Sequence, residues 1–181
     1  MRSLLHGSLT LDPFEALGMD PVFSLDMGLL EQRHRDLSRT LHPDRHAAAG
    51  AAERRMALGR AIEVNEAFRA LKDPVRRAEA LLARRGVQSG EGKEPPAPPA
   101  LLMAVMERRE ALAEIRSSQD AVAIGRLIAD VRGEETRVQS ALAGEFAVPA
   151  PNVAEILKNV GELRYYRRFL AEAQTIADEL F

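Results

Sequence analysis

The chain has 181 residues, 46% of them hydrophobic and 29% charged, with 25 Lys and Arg against 27 Asp and Glu. That length suits one domain or two small ones around a real core, and a net charge of −2 argues against a general nucleic-acid binder, which needs a basic excess. With no cysteine, disulfides, thiol catalysis, Cys-ligated zinc and any cluster held by the chain's own sulfur are excluded. No apolar run approaches the roughly 18 residues of a membrane span, and Met1-Arg2-Ser3-Leu4-Leu5-His6-Gly7 is too short and polar for a signal peptide. The expectation is a cytoplasmic protein. Aromatics make up only 4%, and the abundant Ala, Leu, Arg and Glu lose little rotamer freedom in helices, so the fold class expected is all-α.

Asp12-Pro13-Phe14-Glu15-Ala16-Leu17-Gly18 predicts a short first helix, capped by Asp12, with Pro13 at its first position and Gly18 as its stop. A second helix runs from a cap at Asp26 to about Leu41, with Leu30, His34, Leu37 and Leu41 on its packed side. Pro43 interrupts it, so His42 and Asp44 stand on a turn. A third helix over 51–71 places Ala57, Ile62, Val64, Phe68 and Leu71 near one side, and Asp73-Pro74 opens a fourth that ends near Gly86. Glycines and four prolines then crowd residues 86–99, which reads as a linker between a unit at 1–85 and another at 100–181. Residues 1–94 carry 15 basic and 14 acidic side chains, and 95–181 carry 10 and 13. The second unit reads as three helices over 99–116, 119–143 and 152–179, with breaks at Ser117-Ser118 and from Gly144 to Pro151. The last has Ile156, Val160, Leu163, Leu170 and Ala173 on its apolar stripe, and a three-helix bundle is the simplest way to bury such faces.

The ordered set Asp12-Pro13-Phe14, Leu17-Gly18, His42-Pro43-Asp44, Ile62 through Pro74 and Arg77-Ala78 resembles a J-domain, the module that recruits Hsp70-type chaperones. The resemblance implies that the tripeptide stimulates ATP hydrolysis by the Hsp70 partner, and that this chain itself is not an enzyme and needs no cofactor. At about 100° per residue, Arg35 and Arg39 point away from Leu30, Leu37 and Leu41, and His42 lies near the same outer side. With Arg45 they form a basic strip able to steer an acidic partner surface. The usual aromatic before the tripeptide is Leu41 here, and the usual Lys after it is Arg45. His34 takes a place where relatives often carry an aromatic and is read as packing. His34, His42 and His46 make a poor metal set, because their spacing crosses a proline and no carboxylate clearly joins them. An acid–base enzyme built on His42 and Asp44 lacks a nucleophile and a pocket motif.

On the first helix of the second unit, Leu101, Val105, Leu112 and Ile115 form a core stripe, while Met103, Met106, Glu107, Glu110 and Glu114 fall on the far side and Leu102 at its edge. Two methionines among three carboxylates are unusual for a purely solvated face. They either mark a contact surface or pack on the neighbouring helix. Tyr165 lies about 200° from Leu163 and is expected to point outward, with Tyr166 nearer the core. With this half included, the chain resembles the HscB-type co-chaperones of iron–sulfur cluster assembly: an N-terminal J-domain helical hairpin plus a C-terminal three-helix bundle that binds the cluster scaffold protein. The likeness rests on Leu102-Met103, Glu107, Arg109-Glu110, Leu112, Glu114-Ile115 and Leu163-Arg164-Tyr165. It implies client contacts at Leu102, Met103, Met106, Glu107, Glu110, Glu114 and Tyr165, with Met106 in place of a usual Leu and Tyr165 of a usual Phe. The implied partners are an Hsp70-type chaperone and an iron–sulfur scaffold, with no nucleic acid, membrane or metal. The alternative is a J-domain co-chaperone serving a different client.

Overall fold

The computed structural model describes residues 12–46 and 49–180, which leaves the segment 1–7 weighed above as a signal peptide outside the described residues. Seven α-helices and one 3₁₀ turn make up the described chain, and no strand occurs among the described residues. It divides into two compact units between Val87 and Gln88.

In the first unit, Asp12 accepts from the Phe14 N–H (2.8 Å) and starts α1 (Pro13–Leu17), which Gly18 ends in the left-handed region at φ 63°. Asp26 caps α2 (Met27–Thr40) by accepting from Leu29 N–H at 3.0 Å. α3 (Ala51–Lys72) runs back antiparallel to it, and α4 (Pro74–Arg84) begins on Asp73, whose carboxylate accepts from Val75 and Arg76 N–H. The core is Phe14, Leu17, Leu30, Val64, Leu71, Leu81 and Leu82. One cation joins it: Arg77 is 7% exposed, donates to the Phe23 carbonyl at 2.9 Å and lies over the Phe23 ring, fixing the segment between α1 and α2. Arg84 pairs with Asp12, tying the end of α4 to the start of α1.

Three expectations change here. Ile62 is not in the core but 56% exposed, because it lies about 160° from Val64 around α3. Phe68 packs as expected, against His34, and the small Ala67 and Ala70 are buried beside it, where they let backbones approach closely. Leu37 and Leu41 are half-buried, leaving Leu30 as the single fully enclosed residue of α2.

In the second unit, α5 (Pro99–Ser118), α6 (Ala121–Ala147) and α7 (Val153–Leu180) run up, down and up. Gln119 ends α5 at φ 54°, and Asp120 caps α6 by accepting from Val122 and Ala123 N–H. Gly144 does not stop α6, which continues to Ala147; a glycine only weakens a helix interior, and the break waits for Pro149 and Pro151. Ile124, Ile128, Val131, Val138 and Leu142 of α6 meet Ile156, Val160, Leu163, Phe169 and Ala173 of α7. Leu170 is only half-buried, and Phe169 takes the place expected for it. On α5 only Leu112 and Ile115 are buried, so its first three turns are lightly held. Residues 88–98 belong to this unit: Glu94 pairs with Arg164 at 2.9 Å and Glu91 pairs with Arg168.

The burial contrast predicts that Leu30→Ala costs roughly 2–5 kcal/mol by leaving a cavity. Ile62→Ala, at an exposed site, stays within about 0.5 kcal/mol. Native-state hydrogen exchange of the α2 and α3 amides checks both.

Candidate functional sites

The first candidate site is the turn between α2 and α3. Leu41 closes α2 with its N–H on the Leu37 carbonyl, and Pro43–His46 then make a 3₁₀ turn in which Arg45 N–H donates to the His42 carbonyl at 3.0 Å. His42, Pro43, Asp44 and Arg45 are all exposed. The Asp44 N–H donates to His42 Nδ1 at 3.3 Å, and Asp44 Oδ2 lies 3.5 Å from the same nitrogen. Both contacts hold the ring against its neighbour. The turn therefore presents an imidazole and a carboxylate side by side to solvent.

Behind the turn, α2 is clamped to α3 by a stack: the His34 ring lies 4.1 Å from the Phe68 ring at 14°, and its Nε2 is 2.8 Å from Asn65 Oδ1. His34 is thus a packing residue. His46 Nε2 reaches the Thr40 carbonyl at 3.2 Å and its Nδ1 lies 3.7 Å from Glu53, bracing the turn on its far side. No group of three metal-ligating side chains occurs among the described residues. Arg35 and Arg39 project outward as expected, but each has an acidic neighbour on its own helix, Glu31 at 3.9 Å and Asp36 at 3.7 Å. The strip is therefore mixed in sign. Such exposed pairs contribute about 0–1 kcal/mol, so they give way easily to a partner's carboxylates.

The second candidate site is the free side of α5. Leu102, Met103 and Met106 are 51%, 63% and 62% exposed, and Glu107, Glu110 and Glu114 flank them in solvent. The methionines therefore do not pack on the neighbouring helices. Tyr165 departs from expectation: it is half-buried, with its hydroxyl fully enclosed and its ring edge-on to Tyr166 (5.5 Å) and tilted on Phe169 (6.3 Å). The direction around α7 is as expected, but α5 and residues 88–98 cover that flank. There Tyr165 borders a cleft of about 260 Å³ with Val105, Arg109, Glu91, Glu94 and Phe169. Burial pushes the Tyr165 phenol above its ordinary value of 10, against the pull of the nearby Arg108 guanidinium. Arg108 itself lies over the Tyr166 ring, 5.4 Å from its centre.

Sequence reasoning missed the pairing of Arg164 and Arg168 on α7 with Glu94 and Glu91. Spacing carried a partial signal, since carboxylates three apart face guanidiniums one helical turn apart. Nothing local says that the two segments, some 70 residues apart, meet.

A family model described as the HSCB C-terminal oligomerisation domain matches residues 97–174. A co-chaperone protein HscB homolog from Ralstonia nicotianae is 40% identical over 131 residues, covering 72% of this chain and 74% of that protein. Another, from Paraburkholderia phymatum, is 33% identical over 173 residues, covering 96% and 98%. Among solved structures, chaperone HscB from Vibrio cholerae superposes with a TM-score of 0.80 at 30% identity, over 94% of this chain and all of that one. Human co-chaperone HscB, at 22% identity and TM-score 0.82, covers 96% of this chain and 86% of its own and shares the fold.

The enclosed hydroxyl gives a pH prediction. A phenol whose folded value is raised stabilises the fold below the unfolded value near 10, and that contribution is lost as pH rises through the higher folded value. In a Tyr166→Phe variant, whose remaining tyrosine is Tyr165, ultraviolet titration should show ionisation above pH 10 when folded and near 10 in urea.

Proposed function

The chain belongs to the HscB co-chaperone family, and from that premise we propose that it is a cytoplasmic, non-enzymatic adaptor that brings an iron–sulfur scaffold protein to an Hsp70-type chaperone and stimulates that chaperone's ATPase. The observation that carries the reading is that two surfaces on two units of one chain, the His-Pro-Asp turn and the Leu102–Met103–Met106 face, are exposed.

On the first unit, Arg35, Arg39 and Arg45 draw in an acidic surface of the Hsp70, with an effect on encounter rate larger than on final affinity. His42 then offers its imidazole and Asp44 its carboxylate, at a spacing held by Pro43 and the Asp44 N–H bond to Nδ1. The hydrolysis belongs to the partner. The turn selects the partner's hydrolysis-competent state by binding it better than the other, and it can shift the equilibrium only by that difference. On the second unit, Leu102, Met103 and Met106 supply adaptable apolar contact, Tyr165 an aromatic anchor, and Glu107, Glu110 and Glu114 charges for basic groups on the scaffold. The iron–sulfur cluster is cargo. Without cysteine, this chain cannot take it through thiolates of its own, so its contribution is contact between proteins. Holding both partners on one chain replaces a bimolecular encounter with an intramolecular one, for which gains of about 10²–10⁴ are typical.

Two measurements test the two halves separately. His42→Gln should abolish stimulation of the Hsp70 steady-state ATPase while leaving the fold unchanged by circular dichroism; stimulation equal to the parent contradicts the role of the turn. Calorimetric titration with an iron–sulfur scaffold protein should show at least tenfold weaker binding, about 1.4 kcal/mol or more, for Met103→Ala/Tyr165→Ala. Unchanged affinity contradicts the surface, and a parent that binds no such scaffold but retains another protein client points to that client instead.

A further inference from the structure

Residues 88–98 have the composition of a free linker, yet they lie on α7. Glu94 Cβ and Cγ come within 3.4 Å of where a Cβ on Gly161 would stand, so the segment sits directly on the helix backbone one turn before Tyr165. The Glu94–Arg164 pair is 2.9 Å long, and its side chains are only 14% and 15% exposed. One turn further on, Glu91 pairs with Arg168 in solvent. Within the segment, Gly92 N–H donates to the Glu94 carboxylate at 3.0 Å and Lys93 N–H to the Gly90 carbonyl at 2.9 Å. Gly90 and Gly92 have φ values of 142° and 82°, a path that side chains rarely allow. No residue of the segment is buried, and it contributes no large apolar side chain to the core. Besides the Glu94 contact on Gly161, two ion pairs hold it, one half-buried and one exposed.

The placement of this segment matters because Glu91 and Glu94 line the cleft that Tyr165, Val105 and Arg109 also line. Taking Val105 as zero around α5, Arg109 lies at about 40°, Leu102 at about 60° and Met106 at about 100°. Val105 and Arg109, which line the cleft, are thus the neighbours of Leu102 and Met106 around α5.

We propose that residues 88–98 are an electrostatic strap that competes with the client for the Tyr165 end of the docking surface. This rests on the reading of that surface given above and adds its regulation. In the free protein the strap covers one flank of Tyr165; when the scaffold docks, Glu91 and Glu94 leave Arg168 and Arg164, and the tyrosine ring becomes available as an anchor. A segment held by a few polar contacts opens at low cost. The strap therefore tunes affinity instead of blocking binding.

The test uses the full chain carrying Glu91→Gln and Glu94→Gln together, with two readouts. Hydrogen exchange of the variant alone should speed up at least tenfold at residues 88–98, with the interior amides of α6 and α7 unchanged. Calorimetric titration with an iron–sulfur scaffold protein should then show about three- to tenfold tighter binding than the parent. Unchanged exchange in 88–98 overturns the electrostatic hold. Faster exchange with equal or weaker binding overturns the competition, leaving the segment as a wall of the cleft. Competition also falls if the parent binds no scaffold, and in that case the docking surface falls with it. Tight parent binding that the variant fails to improve removes the strap alone.

Discussion

Pro43 is the constraint on which the first unit depends. It has no N–H to give a helix and its ring fixes φ, so α2 must stop and the chain must turn before α3 can begin. The 3₁₀ turn that results places His42 and Asp44 on the outside at a fixed spacing. Packing and polar contacts lie behind that turn. Leu30 is sealed in the core, His34 stacks on Phe68, and His46 braces against Thr40 and Glu53.

Charge acts in two ways in this chain, and burial decides which. On α2 the pairs Arg35–Glu31 and Arg39–Asp36 lie in solvent, where screening and side-chain entropy leave them close to neutral in stability. They can be exchanged for a partner's charges at little cost. Glu94–Arg164 is mostly covered, so its members give up solvation that their mutual attraction offsets. A pair of the first kind suits steering. A pair of the second kind suits holding a segment in place, and Glu94–Arg164 joins residues 88–98 to α7 in this way.

Much of this was legible in the sequence. Caps announce helix starts chemically, so Asp12, Asp26 and Asp73 marked α1, α2 and α4 to within a residue, and Pro43 marked the turn. Helical periodicity put Met103 and Met106 on one face but left open whether that face packs on a neighbouring helix; the structure leaves it exposed. Periodicity failed where a helix has more than one covered side. Helical angle put Tyr165 outward, about 200° from Leu163, but α5 and residues 88–98 meet α7 on that flank and leave it half-buried. Ile62 failed for the opposite reason: an apolar residue in an apolar-rich helix was counted inward although its angle put it outward. The Gly- and Pro-rich stretch misled most, because composition reports the freedom of a chain in isolation. Gly161 and two arginines elsewhere in the sequence are what hold it.

The central claim is that one chain serves two partners at once, through surfaces that composition alone averages to −2. The most direct measurement is the ATPase of the Hsp70 partner as a function of the concentration of this chain, with and without an iron–sulfur scaffold protein. The account predicts that the scaffold lowers the concentration needed for half-maximal stimulation by about tenfold or more, through effective concentration. It also predicts that this gain disappears in Met103→Ala/Tyr165→Ala while stimulation by the chain alone persists. A scaffold that leaves the curve unmoved, or a gain that survives the double substitution, would contradict it.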